Sequence, residues 1–78
     1  MMKNKILIMF GAHIRKLRIE RGMSQEQLAE RAQVHRTYIG MLERGEKNAT
    51  ITTLVKISTA LNVSINQLFS WENNDDTK

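Results

Sequence analysis

The sequence predicts an all-α protein, five short helices in one compact bundle, with the second and third joined by only a few residues. Apolar residues recur at helical spacing in segment after segment. Hydroxyl, Asn and Gly residues stand where those segments should begin and end. The chain has no proline, no internal repeat and no low-complexity linker, so capping residues and glycines are its only punctuation.

The first helix is expected over residues 10–21, with Ile14 and Leu17 on one face, Arg15, Lys16 and Arg21 outward, and Gly22 as the stop. Ser24 opens a capping box with Gln27, the hydroxyl accepting the Gln27 amide while the Gln27 side chain reaches back to the Ser24 amide. Leu28, Ala29 and Ala32 form the apolar stripe of the second helix, which should end near Arg31. After Gln33 and Val34, a third helix over 35–44 turns Ile39 and Leu42 inward and stops at Gly45. So short a connection makes helices two and three an angular helix-turn-helix unit and not a long antiparallel hairpin. Thr50 caps a fourth helix that carries Ile51, Leu54, Ile57, Ala60 and Leu61 at helical spacing as far as Asn62. A second capping box, Ser64 with Gln67, starts a short fifth helix with Ile65, Leu68 and Phe69. The polar, acidic tail 72–78 is expected to fray, leaving 1–71 as the single domain. Residues 6–10 have two readings: they extend the first helix and pack on the fourth and fifth, or they form an arm to a partner subunit.

At 78 residues the chain has room for one core and no separate catalytic or sensing domain. So small a core narrowly offsets conformational entropy and normally needs a staple, a metal or a second subunit. With no cysteine, disulfides and thiolate zinc sites are excluded. Only His13 and His35 are left, no other ligand stands at metal spacing, and no metal or cofactor is expected; dimerisation is the natural source of added stability. The longest apolar run, 6–10, falls far short of the roughly 20 residues that cross a bilayer. Lys3 and Lys5 imitate the front of a signal peptide, but Gly11-Ala12-His13 leads at once into Ile14-Arg15-Lys16-Leu17-Arg18. A cytoplasmic protein without a membrane segment is the expectation. No Ser/His/Asp set, paired-carboxylate cleft, phosphate-cradling Gly-rich loop or thiol supports an enzyme.

The formal net charge of +4 is unevenly spread. Through Lys47 there are ten Lys/Arg against five Asp/Glu, a net +5; beyond it two against three give −1. The first part of the chain therefore faces something anionic, for which nucleic acid and acidic lipid both qualify by charge alone.

The run Arg18-Ile19-Glu20-Arg21-Gly22-Met23-Ser24-Gln25-Glu26-Gln27-Leu28-Ala29, followed by Val34-His35-Arg36-Thr37-Tyr38-Ile39, Glu43-Arg44-Gly45 and Leu61-Asn62-Val63-Ser64, resembles the phage-repressor-like (Cro/C1 or XRE) helix-turn-helix family. The resemblance covers residues 10–69 and implies a lambda-repressor-like bundle that binds DNA. Within that family, His35-Arg36-Thr37-Tyr38-Ile39 with Glu43-Arg44-Gly45-Glu46-Lys47-Asn48-Ala49-Thr50 looks most like the controller proteins of restriction-modification systems. These are small dimeric regulators that time a restriction endonuclease relative to its methyltransferase. The likeness implies a concentration-driven switch. A dimer on a strong operator activates, and a second dimer on a weaker adjacent site represses, with contact to RNA polymerase. A phage-type or autoregulatory repressor, or an antitoxin paired with a toxin, is the alternative on the same fold.

A helix fits the major groove, and side chains of its first turns reach base edges. Arg36 is placed to donate two hydrogen bonds to guanine, a pairing that discriminates by about 1–3 kcal/mol; the bland reading is a solvated charge. Thr37 offers a methyl to thymine or a hydroxyl to phosphate, or only fills the helix start. For the DNA backbone the candidates are Gln25, Gln27, His35, Tyr38, Arg44, Lys47, Asn48 and Thr50, with Gln25 at the positive end of helix two. Against these stand ordinary first-turn, capping or solvated roles, and for Tyr38 partial burial against helix two. The family likeness implies that Arg18 and Glu43 form a partly buried ion pair holding the recognition helix at its angle. His35 caps the third helix or touches a phosphate, and His13 is a surface or half-buried residue of the first. Two copies on double-stranded DNA place their recognition helices about one turn apart, which calls for a near-palindromic operator. The expected dimer seam is Ile65, Asn66, Phe69 and Trp71, unless Trp71 folds back on its own domain.

Overall fold

The structure, a computed structural model, describes residues 4–71. The tail 72–78 and the first three residues of the expected domain lie outside them. Five helices follow in order: α1 Lys5–Glu20, α2 Gln25–Ala32, α3 Arg36–Glu43, α4 Ile51–Leu61 and α5 Ile65–Leu68. No strand occurs among the described residues.

Local chemistry sets the boundaries. The Asn4 carboxamide accepts the Ile6 N–H at 2.8 Å, so α1 begins well before residue 10, where the apolar periodicity first becomes readable. Residues 6–10 are therefore helix and not an arm. Both capping boxes form with their reciprocal hydrogen bonds, Ser24 with Gln27 and Ser64 with Gln67. His35 and Thr50 cap α3 and α4 through their side chains.

Four helices end in the same lock, in which a residue just past the helix donates its N–H to the carbonyl five residues back, in the last turn: Met23 to Arg18, Val34 to Ala29, Glu46 to Met41 and Val63 to Ser58. The geometry needs a left-handed residue. Gly22 and Gly45 supply it after α1 and α3, whereas Gln33 and Asn62 adopt it after α2 and α4 at φ 60° and 59°. After each of these two comes a valine packed on the core and then the N-cap of the next helix, so the tight turn between α2 and α3 recurs between α4 and α5.

The core is Phe10, Ile14, Leu17, Met23, Leu28, Ala29, Ala32, Ile39, Leu42, Ile57, Leu61 and Leu68. One expectation from periodicity is corrected. Ile51 is not on the buried face of α4 but 79 % exposed. The buried line runs through Leu54, Ile57, Ser58 and Leu61, and the Ser58 hydroxyl is accommodated by donating to the Val55 carbonyl at 2.8 Å.

Where α1 crosses α3 the backbones touch. A Cβ on Gly11 would collide with the carbonyl oxygens of Leu42 and Glu43, and one on Gly45 would come within 2.8 Å of the Ile8 backbone. The early half of α1 is thereby laid over the end of α3, while Phe10 stacks on Phe69 at 5.2 Å between ring centres. Because the obstacle at Gly11 is backbone, Gly11→Ala should cost about 3 kcal/mol or leave the chain unfolded, read as the shift in a urea unfolding midpoint.

Candidate nucleic-acid interface

The third helix is held on one side and open on the other. Ile39 and Leu42, nearly inaccessible, fasten it to the core. At its start the Thr37 N–H donates to His35 Nδ1 at 3.0 Å, which leaves the proton of a neutral imidazole on Nε2. Arg36 and Thr37 occupy the first turn with exposed side chains. A guanidinium and a hydroxyl-bearing methyl at an open helix start are the groups that read base edges in a major groove.

The other end of α3 is anchored by charge. Arg18 Nε donates to Glu43 Oε2 at 2.6 Å and its Nη2 to Oε1 at 3.1 Å, a bidentate pair whose side chains are 10 % and 2 % exposed. Arg18 Nη1 also donates to the Met23 carbonyl at 2.8 Å, and Gln25 Nε2 donates to Glu43 Oε1 at 2.9 Å. One carboxylate thus ties α1, α2 and α3 together.

Several candidate contacts already hold intramolecular bonds. One N–H of the Gln25 amide goes to Glu43 and not outward. The Gln27 carbonyl serves its capping box, leaving its amide nitrogen as the free function. The Thr50 hydroxyl accepts from the Thr53 N–H and donates its single hydrogen to Thr53 Oγ1. Tyr38 is half-buried against the core, and the Lys47 ammonium stands over its ring at 5.9 Å, so the loop cation is aligned with α3. Arg44 is exposed, its Nε donating to Glu46 Oε1 at 3.2 Å. Asn48 is exposed too, but it borders an apolar cleft of about 140 Å³ with Ile6, Leu7, Phe10, Ala49, Leu54 and Phe69.

On the far side, Ile65 and Phe69 remain 41 % and 46 % exposed, and Asn66 is exposed. Trp71 is half-buried, its ring 6.4 Å from that of Phe10 and 5.9 Å from that of His13. It therefore rests on its own domain and stays partly exposed. His13 Nε2 is 2.8 Å from the Gln67 carbonyl, which links α1 to α5. Neither this bond nor that between Gln25 and Glu43 was legible in the sequence; each joins residues far apart in the chain, and no local pattern marks it.

A helix-turn-helix family model matches residues 14–68. The control protein C.BamHI of Bacillus amyloliquefaciens is 41 % identical over 71 residues, covering 90 % of this chain and 88 % of the relative. The control protein C.SmaI of Serratia marcescens is 47 % identical over 58 residues, covering 74 % and 69 %. Among solved structures, the restriction-modification controller protein C.AhdI from Aeromonas hydrophila superposes with a TM-score of 0.80 at 40 % identity, over 81 % of this chain and 96 % of that one.

Arg18→Met should strand the Glu43 carboxylate in the interior and cost about 3–5 kcal/mol. The double replacement with Glu43→Leu should recover most of that loss. Urea midpoints of the three proteins test the pair, and a single replacement that unfolds like wild type would remove it from the structural account.

Proposed function

The chain belongs to the XRE-type helix-turn-helix family of DNA-binding transcription regulators, and from that premise we propose that it is the controller protein of a restriction-modification system, acting as a homodimer on a near-palindromic operator. The observation that carries the reading is the open first turn of α3, Arg36 and Thr37, on a helix whose opposite face is sealed and whose far end is locked to α1 and α2. Arg36 reads a guanine in each half-site, and Thr37 contacts the neighbouring base or its phosphate. Gln25, Gln27, His35, Tyr38, Arg44, Lys47, Asn48 and Thr50 fix the register on the sugar-phosphate backbone. The likeness to two control proteins, each over most of this chain, supports the controller assignment over a phage-type repressor or an antitoxin.

The second copy docks on α5 through Ile65, Asn66, Phe69 and Trp71. Exposed isoleucine and phenylalanine beside a half-open tryptophan are the composition of an interface core. Residues 1–71 act as one unit for binding and pairing, with 72–78 as a polar tail. The signal is the protein's own concentration in the cytoplasm: a first dimer activates through RNA polymerase, and a second on an adjacent site represses. No catalytic chemistry is assigned to it.

DNase footprinting of the region upstream of its gene tests the whole reading, since it reports site, symmetry and the number of dimers together. Arg36→Ala should lose about 1–3 kcal/mol of discrimination at one base pair per half-site. Lys47→Ala should weaken all sequences alike and reduce the salt slope by about 1. Ile65→Glu should sediment as a monomer with unchanged helical circular dichroism; a dimer of wild-type affinity would move the seam elsewhere.

A further inference from the structure

Three of the four glycines answer to the backbone. Gly11 lies where two helices touch, and Gly22 and Gly45 hold φ of +69° and +77°. Gly40 answers to neither demand. It sits inside the eight-residue α3, in helical conformation, where glycine weakens a helix relative to alanine. A Cβ built on it has no backbone outside its own helix among its three nearest neighbours. Its nearest neighbours are the tips of two side chains, Arg44 Nη1 at 3.2 Å and Cζ at 4.0 Å, and Gln25 Oε1 at 3.6 Å.

We propose that Gly40 is a positioning residue for DNA binding: its missing side chain opens a notch in the recognition helix in which the Arg44 guanidinium lies back across α3 beside the Gln25 amide. The inference rests on the reading above that Arg44 contacts the DNA backbone. Arg44 sits one helical turn beyond Gly40, and helical side chains lean toward the N-terminus, so its path runs over that residue. Glu46 holds the guanidinium by Nε, and Glu43 holds Gln25 by its amide. Both groups are thereby brought to the same point above α3 before any ligand arrives, which lowers the ordering cost of a charged contact. A methyl at 3.2 Å is tighter than nearly all contacts of its kind, so the guanidinium has to shift by a few tenths of an ångström to admit it. Arg44, 58 % exposed in its side chain, is the flexible party that takes up that shift, while the helix backbone has no cause to move.

The consequence is an opposition between folding and binding at one position. Gly40→Ala, Arg44→Ala and the double variant are compared in the full chain by thermal melting and by affinity against salt. The probes are a duplex from the region upstream of the gene and a random-sequence duplex of equal length. Gly40→Ala is expected to melt at or above the wild-type temperature and to lower the slope of log affinity against log salt by up to about 0.9, the weight of one phosphate contact, which is at most roughly eightfold in affinity at 0.1 M relative to 1 M. The double variant is expected to bind no more weakly than Arg44→Ala, because the methyl acts only through the guanidinium. Wild-type slope and affinity for Gly40→Ala, additive losses in the double variant, or melting well below wild type would each overturn the proposal, the last by making the glycine structural. Unchanged binding by Arg44→Ala would overturn the underlying contact, and the notch with it.

Discussion

The carboxylate of Glu43 is the point on which the remaining geometry depends. It accepts from Arg18 on α1 and Gln25 on α2 while belonging to α3, and Arg18 reaches on to the Met23 carbonyl in the turn between α1 and α2. Hydrophobic burial has no preferred direction. An eight-residue helix fastened mainly by Ile39 and Leu42 could rock about its own axis within a core of that kind. A bidentate ion pair has fixed lengths and a plane, and it removes that freedom. A buried pair contributes little net stability once its desolvation is counted. Orientation of α3 is what this one supplies, and the open first turn at Arg36 and Thr37 inherits that orientation.

The second constraint is brevity. None of α2, α3 and α5 exceeds eight residues, a length at which isolated helices are marginal. Their ends compensate. Hydroxyl or imidazole side chains cap the starts, and four of the five helices finish in the same left-handed lock. Two of those locks use non-glycine residues, Gln33 and Asn62, at the places where a helix must turn within three residues into the next N-cap. Close backbone crossing at Gly11 and Gly45 then lets α1 lie directly on the end of α3, and the long first helix becomes a splint for the short third one.

Much of this was legible because it is local. Both capping boxes are sequence patterns four residues long, and the hydrogen bonds that define them are present. The glycine stops after α1 and α3 are equally local. Periodicity was a poorer guide at the margins. It put Ile51 in line with Leu54 and Ile57 on α4, although that first residue of the helix is exposed. It also left residues 6–10 ambiguous, since an unbroken apolar run carries no phase; the deciding features are the Asn4 cap and the crossing at Gly11, Gly45 and Ile8.

By itself the sequence determined five helices, where most of them stop and the helix-turn-helix character of the second and third, because caps, stops and short turns are interactions among residues a few places apart. Tertiary structure alone decided that the Gln25 amide turns inward to Glu43, that Trp71 rests on Phe10 and His13, and that Gly40 leaves space for a guanidinium instead of a backbone. Most of these contacts join residues widely separated along the chain. They depend on how the helices pack against one another, and no local pattern encodes that packing.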